Sequence, residues 1–225
     1  MTALSWPGCA NTRDLGGLPT AWGGRIRKGA LIRSDRPRPD SVHALLGHDV
    51  RLVLDLRLAG ECATDPSPLA GHPAYRNLSV LRDEDDVLEA IADTMPAIYQ
   101  AILDRGADRL AAVITAIALA PPGAVLVHCH SGRDRTGLVI ALALTLAGVP
   151  DEEIAQDYAL TASCLRPGTE ERARRLSAQV TEATMLRTLA HLRDRYGGAA
   201  PYLGVGESVV ALLRARLTEP SGAPA

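Results

Sequence analysis

The stretch VLVHCHSGRDRTGLVIALAL, residues 125–144, constrains the fold more than any other part of the chain. A short, β-branched apolar run ends at His128, and a longer apolar run begins beyond Thr136. The first suits a strand buried on both faces, the second a buried helix. A polar loop joins them. This is the unit from which open α/β folds are built, and such folds bind ligands beyond the carboxyl ends of their strands. The expected elements are a strand over 124–128, a loop over 129–134 and a helix over 135–147.

The loop residues point to phosphate chemistry. A helix N-terminus supplies unpaired N–H groups and a partial positive charge, which together bind anions. Gly132 lets the loop turn through a left-handed conformation, so that its amides curl inward around phosphate oxygens. Arg135 adds a planar, permanently charged fork. His130, Ser131, Gly132, Arg133, Asp134 and Arg135 thus form an expected phosphate-binding loop. Cys129 stands at its base, and thiols at helix N-termini beside arginines ionise readily. A thiolate facing phosphorus, with the moving charge held by amides and Arg135, is arranged for displacement through a phosphocysteine. The Thr136 hydroxyl is expected to reach back to the sulfur. His128 is expected to be buried and to hydrogen-bond loop backbone rather than act as a base. Adjacent residues of an extended segment point to opposite faces, so His-Cys-His does not converge on a metal, and no cofactor is expected.

Elsewhere the patterns are simpler. GGRIRKGALIRS reads as a short hairpin or two edge strands, and residues 39–49 as a short helix capped by Asp40 or Ser41. Strands are expected over 51–57 and 74–81, and helices over 87–104, 107–120, 151–165, 168–196 and 205–217. Pro96 marks either a break or a first helical turn. Glu170 with Arg174 and Glu171 with Arg175 form i,i+4 pairs on an exposed helix face. Strands before residue 130 and helices after it give an α/β fold, a central mostly parallel sheet flanked by helices with a helical C-terminal layer.

Among 225 residues, 24 basic and 26 acidic side chains balance, which argues against a nucleic-acid binder. The longest apolar runs, 111–120 and 138–149, are too short to span a bilayer. The N-terminus lacks a basic start followed by a long apolar stretch, so a cytoplasmic protein is expected. Of the four cysteines, Cys9 and Cys62 sit in loop-like sequence, Cys164 ends a helical pattern, and only Cys129 has unusual neighbours.

HCHSGRDRTG resembles the signature loop HCxxGxxR(S/T)G of the cysteine-dependent protein tyrosine phosphatase superfamily, with Cys129 and Arg135 in the C-x5-R spacing. NTRDLGGLPTAWGGRIRKGALIRSD resembles the entry segment of its bacterial tyrosine-phosphatase-like subfamily. LVLDLR followed by Glu61 resembles that subfamily's DLR…E element, and DYALT its helix after the loop. The resemblance implies a single phosphatase domain over 1–217, with 168–217 as a helical cover over the site and 218–225 as a disordered tail. It implies a metal-independent phosphomonoester hydrolase. The first choice of activity is a protein-tyrosine phosphatase of broad specificity; phosphoserine/threonine or phosphoinositide activity is the alternative, and a non-catalytic phosphoresidue binder is a further one. Its partners would be phosphorylated proteins or small phosphomonoesters, and phosphate or sulfate would occupy the loop. Relatives often carry Lys where this chain has Arg133. His130 replaces a small or aromatic residue and is expected near the pocket floor.

The leaving oxygen needs a proton, so a carboxylic acid should stand near the pocket. The resemblance suggests Asp83, after the 74–81 strand, with Asp85 and Asp86 as alternates. Asp134, inside the loop, is the other candidate, and it could equally cap the helix. SWPG near the N-terminus has Gly where an acid loop would need Asp, and it is set aside. Arg13 and Asp14 are expected to tie down the N-terminal segment, and Arg33 and Asp55 to brace the loop or each other.

Overall fold

The computed structural model describes residues 1–82, 92–166 and 169–220. Its main sheet contains β1 (Thr2–Ala3), β2 (Arg13–Asp14), β4 (Leu31–Ser34), β7 (Ala124–His128), β5 (Val50–Asp55) and β6 (Tyr75–Asn77), in that spatial order. The pairs β4–β7, β7–β5 and β5–β6 are parallel, while β1 and β2 add to one edge antiparallel. All five residues of β7 are buried, as a central strand covered on both faces requires. Alternation divides its side chains. Val125 and Val127 join the larger core with Leu52 and Leu54 of β5, and Leu126 joins a smaller core with Trp6, Ile32 and Val53.

Helices cover both faces. Helix α1 (Val42–Gly47) and α2 (Ala59–Thr64) are short, and α3 (Met95–Ala118) is long. Helix α4 (Asp134–Leu146) follows β7 directly. Twelve of its thirteen residues are buried, because β4 and β7 lie on one side and α3, α5 (Asp151–Cys164), α8 (Ala199–Leu203) and α9 (Glu207–Leu217) on the others. A helix buried all round must be apolar all round, which is what LVIALALTL supplies. Each such leucine contributes about 1.5–3 kcal/mol relative to exposure. Helices α6 (Glu171–Ser177) and α7 (Glu182–Tyr196) complete the C-terminal layer. Among the described residues no helix is long and apolar enough to cross a membrane.

Several elements differ from the sequence expectation. GGRIRKGALIRS is not a hairpin: β3 (Gly24–Ile26) pairs with β8 (Thr218–Pro220) in a separate ribbon, while β4 enters the interior of the main sheet. Residues 218–220 are therefore a strand and not part of a disordered tail; residues 221–225 lie outside the described residues. Of the helices expected over 87–104 and 107–120, residues 87–91 lie outside the described residues, and the remainder form one helix from Met95, with Pro96 in its first turn and Thr94 accepting from the Ala97 N–H as cap. Gly106 does not break it, since that turn packs closely on the Val80 carbonyl, where a Cβ would stand at 3.2 Å. The helix expected over 168–196 is two, separated at Val180 and Thr181. Val180 turns into the core, and the Thr181 side chain caps α7 by accepting from Thr184 N–H at 3.3 Å. Of the two expected i,i+4 pairs only Glu171–Arg175 forms, at 3.6 Å, because Glu170 is the N-cap of α6. Cys62 lies in α2, not a loop.

Candidate active site

Strand β7 and helix α4 hold the loop 129–133 at the carboxyl edge of the sheet. Cys129 is buried, and it lines a cavity of about 530 Å³ together with His130, Ser131, Arg133, Asp134 and Arg135. The first backbone bond of the helix turn runs from Gly137 N–H to the Arg133 carbonyl at 2.9 Å. Among the described residues, the amides of His130, Ser131, Gly132 and Arg133 donate to no backbone carbonyl. These four amides are the donors that the expected nest would use.

Gly132 has φ +69°, and a Cβ there would stand 2.4 Å from the Ser34 carbonyl oxygen. Glycine is demanded twice over, by the left-handed backbone and by the close approach of the chain after β4. The outer side of the loop is then tied down by buried polar groups. Arg33 donates through Nη2 to the Gly132 carbonyl at 2.7 Å, and Asn11 Nδ2 donates to the Ser131 and Gly132 carbonyls at 3.1 Å. Asp157 of α5 anchors both supports. It accepts from Arg33 Nη1 at 2.5 Å and from Arg13 Nε at 2.7 Å, and Arg13 Nη1 passes on to Asn11 Oδ1 at 2.6 Å. Burial pushes the Asp157 carboxyl up, but the charges of Arg33 and Arg13 outweigh it and hold it below the usual carboxylate range.

Of the two alternatives expected for Arg33 and Asp55, Arg33 braces the loop, and the two do not pair with each other. Arg33 belongs to Asp157, and Asp55 pairs with Arg57 at 2.7 Å while accepting from the Tyr75 hydroxyl at 2.9 Å. Both carboxylates are buried, Asp55 on β5 beside Arg57 and Asp157 on α5 against Arg33 of β4. Arg13 does tie the N-terminal segment to α5, and Asp14 accepts from the Gly16 and Gly29 amides at 2.9 and 2.8 Å.

Arg135 is held from across the cavity. Glu61 of α2 grips it with both carboxylate oxygens, Nη2 donating to Oε1 at 3.0 Å and Nη1 to Oε2. Burial raises the Glu61 carboxyl, yet the hydrogen bonds and charge of Arg135 bring it below its ordinary value. His128 is fully buried, with Nδ1 3.0 Å from the Cys129 carbonyl, so it supports loop backbone as expected. Burial keeps its imidazole below the ordinary histidine range, although Asp55 opposes this.

Asp134 lines the cavity and is itself buried. Its oxygens accept from the Tyr99 hydroxyl at 2.8 Å and from Arg133 Nε at 3.0 and 2.9 Å. Tyr99 in turn shares a 2.7 Å hydrogen bond with the Tyr158 hydroxyl, and burial pushes both phenols well above their usual range. With Tyr99 donating to the carboxylate, Tyr158 is the donor to Tyr99.

Two expectations need correction. The Thr136 hydroxyl is buried with no hydrogen-bond partner, so it does not reach the sulfur in this structure. His130 lines the cavity but is exposed, unlike a residue of the pocket floor, and its carbonyl accepts from Arg36 N–H at 3.0 Å. Burial and the nearby Arg36 charge still lower its imidazole. Asp83, Asp85 and Asp86 lie outside the described residues. Of the expected cover, Arg172, Ala173, Leu176 and Ser177 line the cavity, whereas α7, α8 and α9 pack against α3, α4 and α5 instead. No group of three or more potential metal ligands occurs among the described residues.

Sequence reasoning gave no role to Asn11, Tyr99 or Asp157. Asn11 and Asp157 did stand within the motifs carrying the resemblance. The available signal for Asp157 was an acid beside Tyr158 and Ala159, in a helix whose residues three positions away, Ile154 and Leu160, are apolar.

The tyrosine phosphatase family model matches residues 4–219. A tyrosine-protein phosphatase of Nostoc commune is 33% identical over 215 aligned residues, covering 84% of this chain and 71% of that protein. A Cupriavidus necator protein, provisionally named a tyrosine-protein phosphatase, is 30% identical over 69% of this chain and 61% of its own length. The triple specificity protein phosphatase PtpB of Mycobacterium tuberculosis is 46% identical over 54 residues, 24% of this chain and 19% of that protein. With a buried cysteine and a clamped arginine at the two ends of a loop of this kind, the chain belongs to the tyrosine phosphatase family and is a phosphatase-type enzyme.

Proposed function

We propose that the chain is a protein-tyrosine phosphatase of broad specificity that works through a phosphocysteine on Cys129. The single observation carrying this is the placement of Cys129 and Arg135 on the wall of one cavity, beside loop amides that donate to no backbone carbonyl among the described residues. The Cys129 thiolate attacks phosphorus, an S–P bond forms, and the ester P–O bond breaks. Asp134 gives its proton to the departing oxygen. Water then attacks the phosphocysteine, Asp134 takes the proton back, and inorganic phosphate leaves with the thiolate restored. Loop amides and Arg135 hold the charge on the equatorial oxygens throughout.

Arg133 holds Asp134 in place and adds charge to the same wall. Asp83 remains the alternative proton donor. No step calls for a metal.

Turnover of p-nitrophenyl phosphate by native and Cys129→Ser proteins, in the presence of chelator, tests this reading. Full native activity and complete loss in the variant are expected. Equal activity of the two would overturn the covalent route. Phosphotyrosyl, phosphoseryl and phosphoinositide substrates compared in the same assay test the breadth of specificity.

A further inference from the structure

A second cavity, of about 320 Å³, opens between the C-terminal end of α5 and α6. Ala162, Leu165, Ala178 and Val180 form its apolar wall. Its charged side chains are Arg133, Arg166 and Arg174, with no Asp or Glu among its lining residues. Arg133, Leu165, Arg166 and Ser177 line both this cavity and the one over Cys129, so the two are continuous neighbours. Arg133 is paired with Asp134, but Arg166 and Arg174 are exposed and make no ion pair among the described residues. The first cavity offsets its arginines with Glu61, Asp134 and Glu170. The second has no such offset among the described residues.

We propose that this second cavity is a subsite for an acidic side chain of a phosphopeptide, a glutamate close in sequence to the phosphorylated residue. This rests on the phosphatase reading of the first cavity. Uncompensated guanidinium groups attract and orient carboxylates. The apolar wall matches the methylene stem of a glutamate, which leaves its charge at the arginine rim. An inositol headgroup, polar on every side, would gain nothing from Leu165 and Val180. A phosphorylated side chain seated over Cys129 places its flanking residues along the shared wall of Leu165, Arg166 and Ser177, which leads into the second cavity.

Matched phosphotyrosyl peptides with glutamate or glutamine at the flanking positions test the subsite. Native protein should favour the glutamate peptides by about twofold to fivefold in kcat/KM, the upper range of exposed ion pairs. Arg174→Gln should bring that ratio close to one, and Arg174→Glu should shift the preference toward lysine-flanked peptides. Equal rates on the two native series, or an unchanged ratio in Arg174→Gln, would overturn the proposal. So would a loss confined to phosphatidylinositol phosphate vesicles, which would assign the cavity to lipid. Equilibrium binding of the same peptides to Cys129→Ser protein reads the subsite without turnover. Absent hydrolysis with a retained glutamate preference in binding would count against the phosphatase mechanism alone.

Discussion

Glu61 on α2 closes a two-pronged contact with Arg135 on α4, so the guanidinium that faces the cavity is aimed by a carboxylate from another part of the chain. An arginine whose fork is fixed in advance loses less freedom on meeting phosphate. Glu61→Gln keeps the size and removes the charge. It should raise KM for aryl phosphates roughly tenfold, the scale of a lost hydrogen bond between charged groups. Steady-state kinetics, with thermal melting to confirm an intact fold, decide this; an unchanged KM would contradict it.

Asp157 carries two buried arginines. Asp157→Asn leaves both cations inside the protein with one neutral partner, and should destabilise the fold by about 3–5 kcal/mol. Urea denaturation measures the loss. A shift well under 1 kcal/mol would show that the arginines find other acceptors.

Tyr99 positions Asp134. Tyr99→Phe removes the donor to the carboxylate and leaves the Tyr158 hydroxyl without its partner, at a cost of about 1–3 kcal/mol. If Asp134 is the proton donor, Asp134→Asn should lose about 10²–10⁴ in rate on poor leaving groups and little on good ones. Tyr99→Phe should show the same pattern in weaker form. Equal losses across a series of aryl phosphates would remove both residues from proton transfer.

His128 makes stability depend on pH. Its folded imidazole resists protonation below the ordinary value near 6.5, while the unfolded chain takes up a proton there. The unfolded state binds more protons as pH falls, so stability is full above about 6.5 and declines below it. Denaturation midpoints at pH 7.5 and 5.5 should differ more for native protein than for His128→Gln. An equal difference would place the acid sensitivity elsewhere.

The loop was legible because its chemistry is local. Cys129, Gly132 and Arg135 stand within seven positions of one another, and strand and helix periods frame them. The supports were not, since they act across long separations. Asn11 reaches Ser131, and Arg33 reaches Asp157, through packing that no short window of sequence contains. Arg33 and Asp55 are both polar residues in buried strands, and sequence could mark them as buried but not say which partner each would take. The Glu61 contact was half visible, as a motif element without a role. The hairpin misreading has a similar origin. The turn signals around Gly23 and Gly29 are genuine, with φ of +76° and +71°, but they send β3 and β4 into different sheets.

The ribbon of β3 and β8 bears on how the chain is made. Strand β3 leaves the ribosome long before its partner β8, with Arg25 opposite Glu219. Central strand β4 likewise waits for β7. During synthesis the early segments can form turns but cannot complete a sheet, and they remain open to wrong pairing until residue 220 has emerged. The ribbon can close only after residue 220 has emerged, and it fastens β3 to a strand 194 positions further along the chain.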